Sequence, residues 1–265
     1  MNIIKKNLFL ILTIILSLFA FTALAHPGFF PIHDDEQIGR LFELNYSLES
    51  GHIPPRISQN LGFGYGYPFF NFYPSFVYYF AEIFVILGFS YIASVKIMIA
   101  FGFIFAASTM YLFSKEYLGR LGGLVAAVLY TYAPYHSVDV YVRGALPEFW
   151  AFVFIPAIFW ALSRLSKDQN FGNVILLGLF GAGLVVTHNL VALMALPFVA
   201  IFFLFLLFEI KNRKELFLSV LLGLASAILI SAYFWLPAIL ENKYTMVNLL
   251  TNQLASYGLH FVSLS

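Results

Sequence analysis

The chain has no cysteine, which excludes disulfides, thiolate metal sites and a cysteine nucleophile and leaves the redox compartment open. Charge is nearly as scarce. Only 10% of its 265 residues are Asp, Glu, Lys or Arg, against roughly a quarter in an ordinary soluble domain. The formal net charge of +1 argues against a nucleic-acid surface, so charge acts here through its placement. Internal repeats and low-complexity tracts are also lacking. What remains is 61% hydrophobic and 19% aromatic, with a mean hydropathy of +0.87. Such a chain needs lipid as its solvent. Spans of about 20 residues fill its length as one all-α integral membrane domain, 1–265, without a soluble domain.

The apolar runs predict a polytopic bundle of about seven spans. The first, 7–25, follows Lys5 and Lys6. Its end, Ala23-Leu24-Ala25, also fits a signal-peptide cleavage site, but the run is long for a signal core and reads better as a retained span. Further spans are expected at 95–113, 121–135, 149–163, 171–187, 190–208 and 216–236. Tyr73 to Phe89 is the ambiguous segment. Glu82 interrupts it, and Phe72, Tyr73, Tyr78 and Tyr79 are aromatics of the kind that sit at headgroup level, so it is expected to lie along the membrane surface.

Cation placement favours the same choice. With 73–89 at the surface, Lys5, Lys6, Lys115, Arg120, Arg164, Lys167, Lys211, Arg213 and Lys214 share one side, and Arg40, Arg56, Lys96, Arg143 and Lys243 the other. The positive-inside rule then makes the N-terminus cytoplasmic in a plasma-membrane, multi-pass protein. The outward segments are 26–94, 136–148, the turn around 188 and a tail, 237–265. If 73–89 crossed instead, the rule would be inverted for an inside N-terminus. An outside N-terminus would restore the count but strand the Lys5-Lys6 pair.

Four outward clusters carry groups capable of chemistry. His33-Asp34-Asp35-Glu36 follows the first span closely; carboxylates at a low-dielectric boundary tend to mark binding, metal coordination or proton transfer, although a solvated acidic loop looks the same. Asp139, Tyr141, Arg143 and Glu148 lie in the second outward loop, where Asp139 and Arg143 at i and i+4 either neutralise one another or offer a phosphate-binding fork. The run from Gly51 to Pro74 interleaves glycines and aromatics with Arg56, Asn60, Tyr67 and Asn71, giving either a headgroup belt or a surface for stacking on sugars and isoprenoid chains. His188, between two spans, is either structural or a phosphate contact. Asn45-Tyr46-Ser47 matches a glycosylation sequon too short to carry weight.

In order along the chain, Pro27-Gly28-Phe29-Phe30-Pro31-Ile32-His33-Asp34, Pro54-Pro55-Arg56, Gly64-Tyr65-Gly66-Tyr67-Pro68, Phe72-Tyr73-Pro74 and Tyr141-Val142-Arg143-Gly144 resemble the bacterial membrane proteins labelled 6-pyruvoyl-tetrahydropterin synthase-related. More widely they resemble the GT-C glycosyltransferase superfamily. The resemblance covers roughly residues 1–190. It implies a GT-C-like helical bundle with interfacial helices in the first outward loop, and transfer of a sugar from a polyprenyl-phosphate donor to an acceptor at the outer face. On that resemblance Asp34 is the general base with Asp35 as its understudy, Arg143 binds the donor phosphate, and Asp139 or Glu148 fills the second acidic position. Arg56, His188, Tyr67 and Asn71 are expected around donor or acceptor. A divalent ion, Mg or Mn, is a candidate cofactor, with Asp34 and Asp139 as possible ligands. The synthase label implies no pterin chemistry, since no zinc-binding histidine cluster is present. The chain is shorter than that superfamily usually runs, so it is expected to be a reduced homologue or the N-terminal part of a longer protein. Two other functions fit a bundle of this kind, a transporter or flippase of lipid-linked sugars and a non-catalytic scaffold. The spans' near-freedom from charge weighs against transport.

Overall fold

A computed structural model of the protein describes residues 3–246. A backbone in lipid must satisfy its polar groups internally, and among the described residues the regular structure is helical, apart from one antiparallel bridge between Ser58 and Tyr67. Helix α1 (Ile3–Leu18) tightens into a 3-10 stretch, Phe19–Ala25. The following loop contains α2 (Gln37–Glu49), α3 (Phe69–Phe72) and α4 (Phe76–Ile86). Then come α5 (Tyr91–Thr131), α6 (Pro134–Val138) with a π-turn at Asp139–Arg143, α7 (Leu146–Lys167), α8 (Phe171–Thr187), α9 (Asn189–Glu209) and α10 (Arg213–Glu241).

Among the described residues five stretches are long and apolar enough to cross a membrane: Asn7–Ala25, Tyr91–Arg143, Leu146–Lys167, Asn189–Glu209 and Arg213–Tyr244. Phe171–Thr187, expected to span, is apolar but shorter; 17 residues reach only about 25 Å, less than the roughly 30 Å hydrocarbon core. The expected span 95–113 and most of 121–135 fall within the single helix α5, which ends at Thr131 and folds back on itself. Gly119 adopts φ +69° there, and a Cβ placed on Gly123 would sit 3.0 Å from the Lys115 nitrogen. Residues eight apart in a straight helix are separated by about 12 Å. Thus α5 is a hairpin with arms 91–118 and 120–131.

Contacts with α1 fix the direction of each arm. Lys96 Nζ donates to the His26 carbonyl at 2.5 Å and Phe103 stacks on Phe21, whereas Tyr132 donates to the Leu16 carbonyl at 2.7 Å. The first arm therefore runs antiparallel to α1 and the second parallel. Lys167 pairs with Glu116, three residues before the Gly119 reversal, so α7 again descends toward the Gly119 end. The bundle thus has two ends, one carrying Gly119 and the α7–α8 turn, the other carrying the loop after α1, the π-turn and His188.

Helix α4, with 11 residues, spans about 17 Å and is too short to cross. It is more than the surface segment expected from sequence. Phe80 lies 4.7 Å from the Trp150 ring and Phe76 5.7 Å from it, while Val77, Tyr78 and Ala81 are fully buried. Helix α2 buries Leu41 and Leu44 in the same core. Burial of side chains this size stabilises by about 2 kcal/mol each, enough to hold α2 and α4 as a cap over the ends of α5 and α7. At the other extreme, α10 continues through Pro237 to Glu241, past the expected limit of 236. Residues 247–265 of the expected tail lie outside the described residues.

Candidate functional site

Two loops far apart in sequence meet through their backbones. His33 N donates to the Val142 carbonyl and Asp34 N to the Arg143 carbonyl, each at 2.9 Å. The approach is possible because Gly144 follows the π-turn at φ +70°, and a Cβ there would lie 2.8 Å from the Asp34 carbonyl oxygen and 2.6 Å from Ile32 Cδ1. A left-handed conformation is costly for other residues, and here the space is absent as well.

Each loop brings one arginine shared between carboxylates. Arg40 Nη1 donates to Asp34 Oδ2 at 2.7 Å, with Nη2 3.2 Å from Glu36. Gln37, fully buried, donates from Nε2 to the same Asp34 oxygen and to the Gly144 carbonyl, both at 2.8 Å, and accepts from the buried Tyr78 hydroxyl. Arg40 lies over the Phe69 and Tyr73 rings, 5.1 and 5.2 Å from their centroids. One Asp34 oxygen is therefore pinned, and its carboxylate still borders a cavity. In the second loop, Arg143 Nη1 donates to Asp139 at 2.5 Å and to Tyr135 at 2.9 Å, and Nη2 faces Glu148 at 2.8 Å. Asp139 is fully buried beneath this pair. A guanidinium has five N–H groups, so two remain beyond these contacts.

The two clusters enclose a cavity of about 210 Å³ lined by His33, Asp34, Tyr73, Arg143, Ala145, Pro147, Glu148 and His188. The His188 backbone opens α9, and its Nδ1 accepts from the Val191 amide at 3.2 Å, which leaves the proton of the neutral ring on Nε2. Burial lowers the His188 pKa, against the opposing pull of Glu148. Burial raises that of Tyr73, opposed by Arg40, so its hydroxyl stays protonated near neutrality.

Two further cavities adjoin. Beyond Tyr73 lies one of about 480 Å³ lined by Glu36, Tyr67, Pro68, Phe69 and Phe72, among others. Beyond Glu148 and Tyr135 an apolar groove of about 430 Å³ runs between α7 and α9, along Phe152, Ile155, Phe159, Val191, Met194 and Phe198.

Of the residues expected from sequence, the structure gathers Asp34, Arg143, Glu148 and His188 around one cavity, with Asp139 directly behind Arg143. Tyr67 belongs to the aromatic cavity next door. Asp35 is exposed and makes no side-chain hydrogen bond among the described residues. Asn71 is buried, accepts from Arg56 and donates to Glu241, both at 2.9 Å; Arg56 and Asn71 therefore tie the aromatic loop to α10 and do not line the cavity. Among the described residues no three His, Asp or Glu side chains gather as metal ligands. Asp34 and Asp139 each spend an oxygen on arginine, so this donor set forms no protein cage for Mg or Mn. Sequence reasoning missed Gln37, Arg40 and Tyr135. Gln37 and Arg40 sit one helical turn apart, close after the acidic run, a weak signal that only the fold makes specific.

The chain is 29% identical over 221 residues to a protein of Lactococcus lactis subsp. cremoris (strain MG1363) described as "Uncharacterized protein", covering 77% of this chain and 36% of that protein. The chain therefore spans about a third of the length of this relative. No solved structure matches this chain. The family model of the 6-pyruvoyl-tetrahydropterin synthase related domain, a membrane protein, matches residues 70–263. That stretch lies further along than the 1–190 of the motif resemblance and leaves the Asp34 loop outside it. With most of its length matched, the chain belongs to the 6-pyruvoyl-tetrahydropterin synthase related family of membrane proteins.

Proposed function

We propose that this chain forms the reaction centre of a membrane glycosyltransferase of GT-C type, moving a sugar from a polyprenyl-phosphate donor to an acceptor hydroxyl at the outer face. One observation carries this reading: a polar cavity bordered by a pinned carboxylate adjoins both an aromatic cavity and an apolar groove. These are the three environments that a proton transfer, a sugar and a lipid tail require. In this scheme the tail lies along α7 and α9, and the phosphate meets the remaining N–H groups of Arg143 and Nε2–H of His188. The sugar stacks toward Tyr67 and Phe72.

The acceptor oxygen attacks the anomeric carbon as its proton passes to Asp34, and the bond from that carbon to the phosphate oxygen breaks. Polyprenyl phosphate leaves with the bonding electron pair, and Asp34, one-third exposed, returns its proton to solvent. Arg40 and Gln37 keep the carboxylate oriented, while Asp35 remains the reserve base. The proposed topology has seven crossings with the N-terminus in the cytoplasm of a plasma-membrane protein. The hairpin arms of α5 count as two crossings, the second continued through α6 and the π-turn to Arg143, and α8 counts as one where the bilayer thins around it; the nine-to-five division of cations supports the orientation.

The test is sugar transfer from polyprenyl-phosphate donors in membranes containing the wild type or Asp34→Asn. Loss of a general base costs about 10²–10⁴ in rate; unchanged transfer rejects Asp34 as the base. A second reading, a non-catalytic scaffold, draws on the pairing of both arginines with carboxylates, which also makes a structural seam. It predicts that the folded protein binds no labelled polyprenyl phosphate.

A further inference from the structure

The opposite end of the bundle holds a cavity that the proposed reaction does not use. It measures about 320 Å³ and is lined by Asn7, Leu10, Tyr111, Lys115, Glu116, Gly119 and Arg120. The Gly119 reversal creates it, by setting the ends of the two hairpin arms beside the start of α1. Lys115 lies over the Tyr111 ring, 5.4 Å from its centroid. The carboxylate of Glu116 is taken by Lys167 on α7. Among the described residues neither Lys115 nor Arg120 has a carboxylate within ion-pair distance. The cavity therefore carries two cations without an ion-pair partner among the described residues, with Glu116, held by Lys167, on the same wall. Leu118 and Leu121 on the hairpin and Leu8 and Ile11 on α1, next in sequence to lining residues Gly119, Arg120, Asn7 and Leu10, are exposed.

We propose that this cavity is a binding site for the phosphate headgroup of an anionic membrane lipid, held by Lys115 and Arg120, with the acyl chains lying on Leu118, Leu121 and Ile11. Basic recesses between helices at a membrane boundary bind such headgroups because each cation near the surface adds attraction, and the planar fork of arginine suits phosphate oxygens. Headgroup and chains together distinguish a lipid from a free phosphate, since the exposed Leu118, Leu121 and Ile11 offer nothing to an inorganic ion. Such a lipid would bridge α1 and the α5 hairpin and brace the turn at Gly119.

The purified full chain is placed in phosphatidylcholine nanodiscs containing photoactivatable phosphatidylglycerol, and crosslinks are mapped by mass spectrometry. Labelling is expected at residues 7–10 and 111–120, with apparent affinity about thirtyfold lower in the Lys115→Gln/Arg120→Gln variant. A Lys211→Gln/Lys214→Gln variant, altered at the same end outside the cavity, keeps wild-type labelling. Unchanged affinity in the first variant overturns the proposal, as does equal loss in both variants, which would mark a diffuse electrostatic effect. Complete displacement by inorganic phosphate at matched concentration overturns the lipid assignment. Should the first variant fail to fold, the wild-type map decides: labelling outside these residues, or equal labelling by photoactivatable phosphatidylcholine, rejects the site.

Discussion

Asp34 and Arg143 are joined by main chain, the amide of one donating to the carbonyl of the other at 2.9 Å. Their side chains look elsewhere, Asp34 to Arg40 and Gln37, Arg143 to Asp139, Glu148 and Tyr135. The two loops are thus locked in register before any side chain is considered, and the cavity between them inherits that precision.

The seam depends on Gly144. Gly144→Ala places a methyl group 2.8 Å from the Asp34 carbonyl oxygen in a left-handed conformation, so the two loops must part. The expected cost is about 2 kcal/mol or more, together with loss of any activity centred on Asp34. Thermal unfolding in detergent measures it. A variant with wild-type Tm and activity would show that the seam is dispensable.

His188 gives the site a pH dependence of definite sign. Its pKa in the folded chain lies below the ordinary histidine value because of burial, so the unfolded state takes up a proton first as pH falls. Stability is full above about pH 6.5 and falls as the pH drops from there toward the folded pKa, with a slope of at most about 1.4 kcal/mol per unit. His188→Asn retains an acceptor able to cap α9 and should remove this slope. Melting curves between pH 5 and pH 8 for both proteins decide, and parallel curves would exclude His188 as the source.

Glu82 on α4 accepts from Asn45 at 2.8 Å through one oxygen, while its other oxygen is buried without a partner among the described residues. Burial raises its pKa, opposed by the Asn45 hydrogen bond. The folded state therefore holds this proton more tightly, and stability is lost as pH rises from about 4.5 through the raised value. Glu82→Gln is expected to be more stable than wild type at pH 7.5, with the difference shrinking toward pH 4.5. A loss of stability at pH 7.5 would mean that the ionised carboxylate has a partner that matters.

The sequence alone determined that this is a helical membrane protein, because 61% hydrophobic residues in long runs leave lipid as the only workable solvent and helices as the simplest way to satisfy the backbone. It also picked out Asp34, Arg143, Glu148 and His188, since ionisable residues beside apolar runs are conspicuous when charge is rare. It could not place Gln37 or Arg40, whose roles arise only when α2 turns one face to the Asp34 loop and buries the other against α4. Nor could it tell that Asn71, in an aromatic loop resembling a binding surface, is consumed by Arg56 and Glu241 at 2.9 Å each, a contact across 170 residues from Asn71 to Glu241. The fold-back at Gly119 is the clearest division of labour. Hydropathy registers two apolar runs and a glycine, but only the packing of both arms against α1 shows the chain reversing there and leaving Lys115 and Arg120 around one recess. Composition is read residue by residue, whereas a site depends on which distant backbones can approach closely, and tertiary packing decides that.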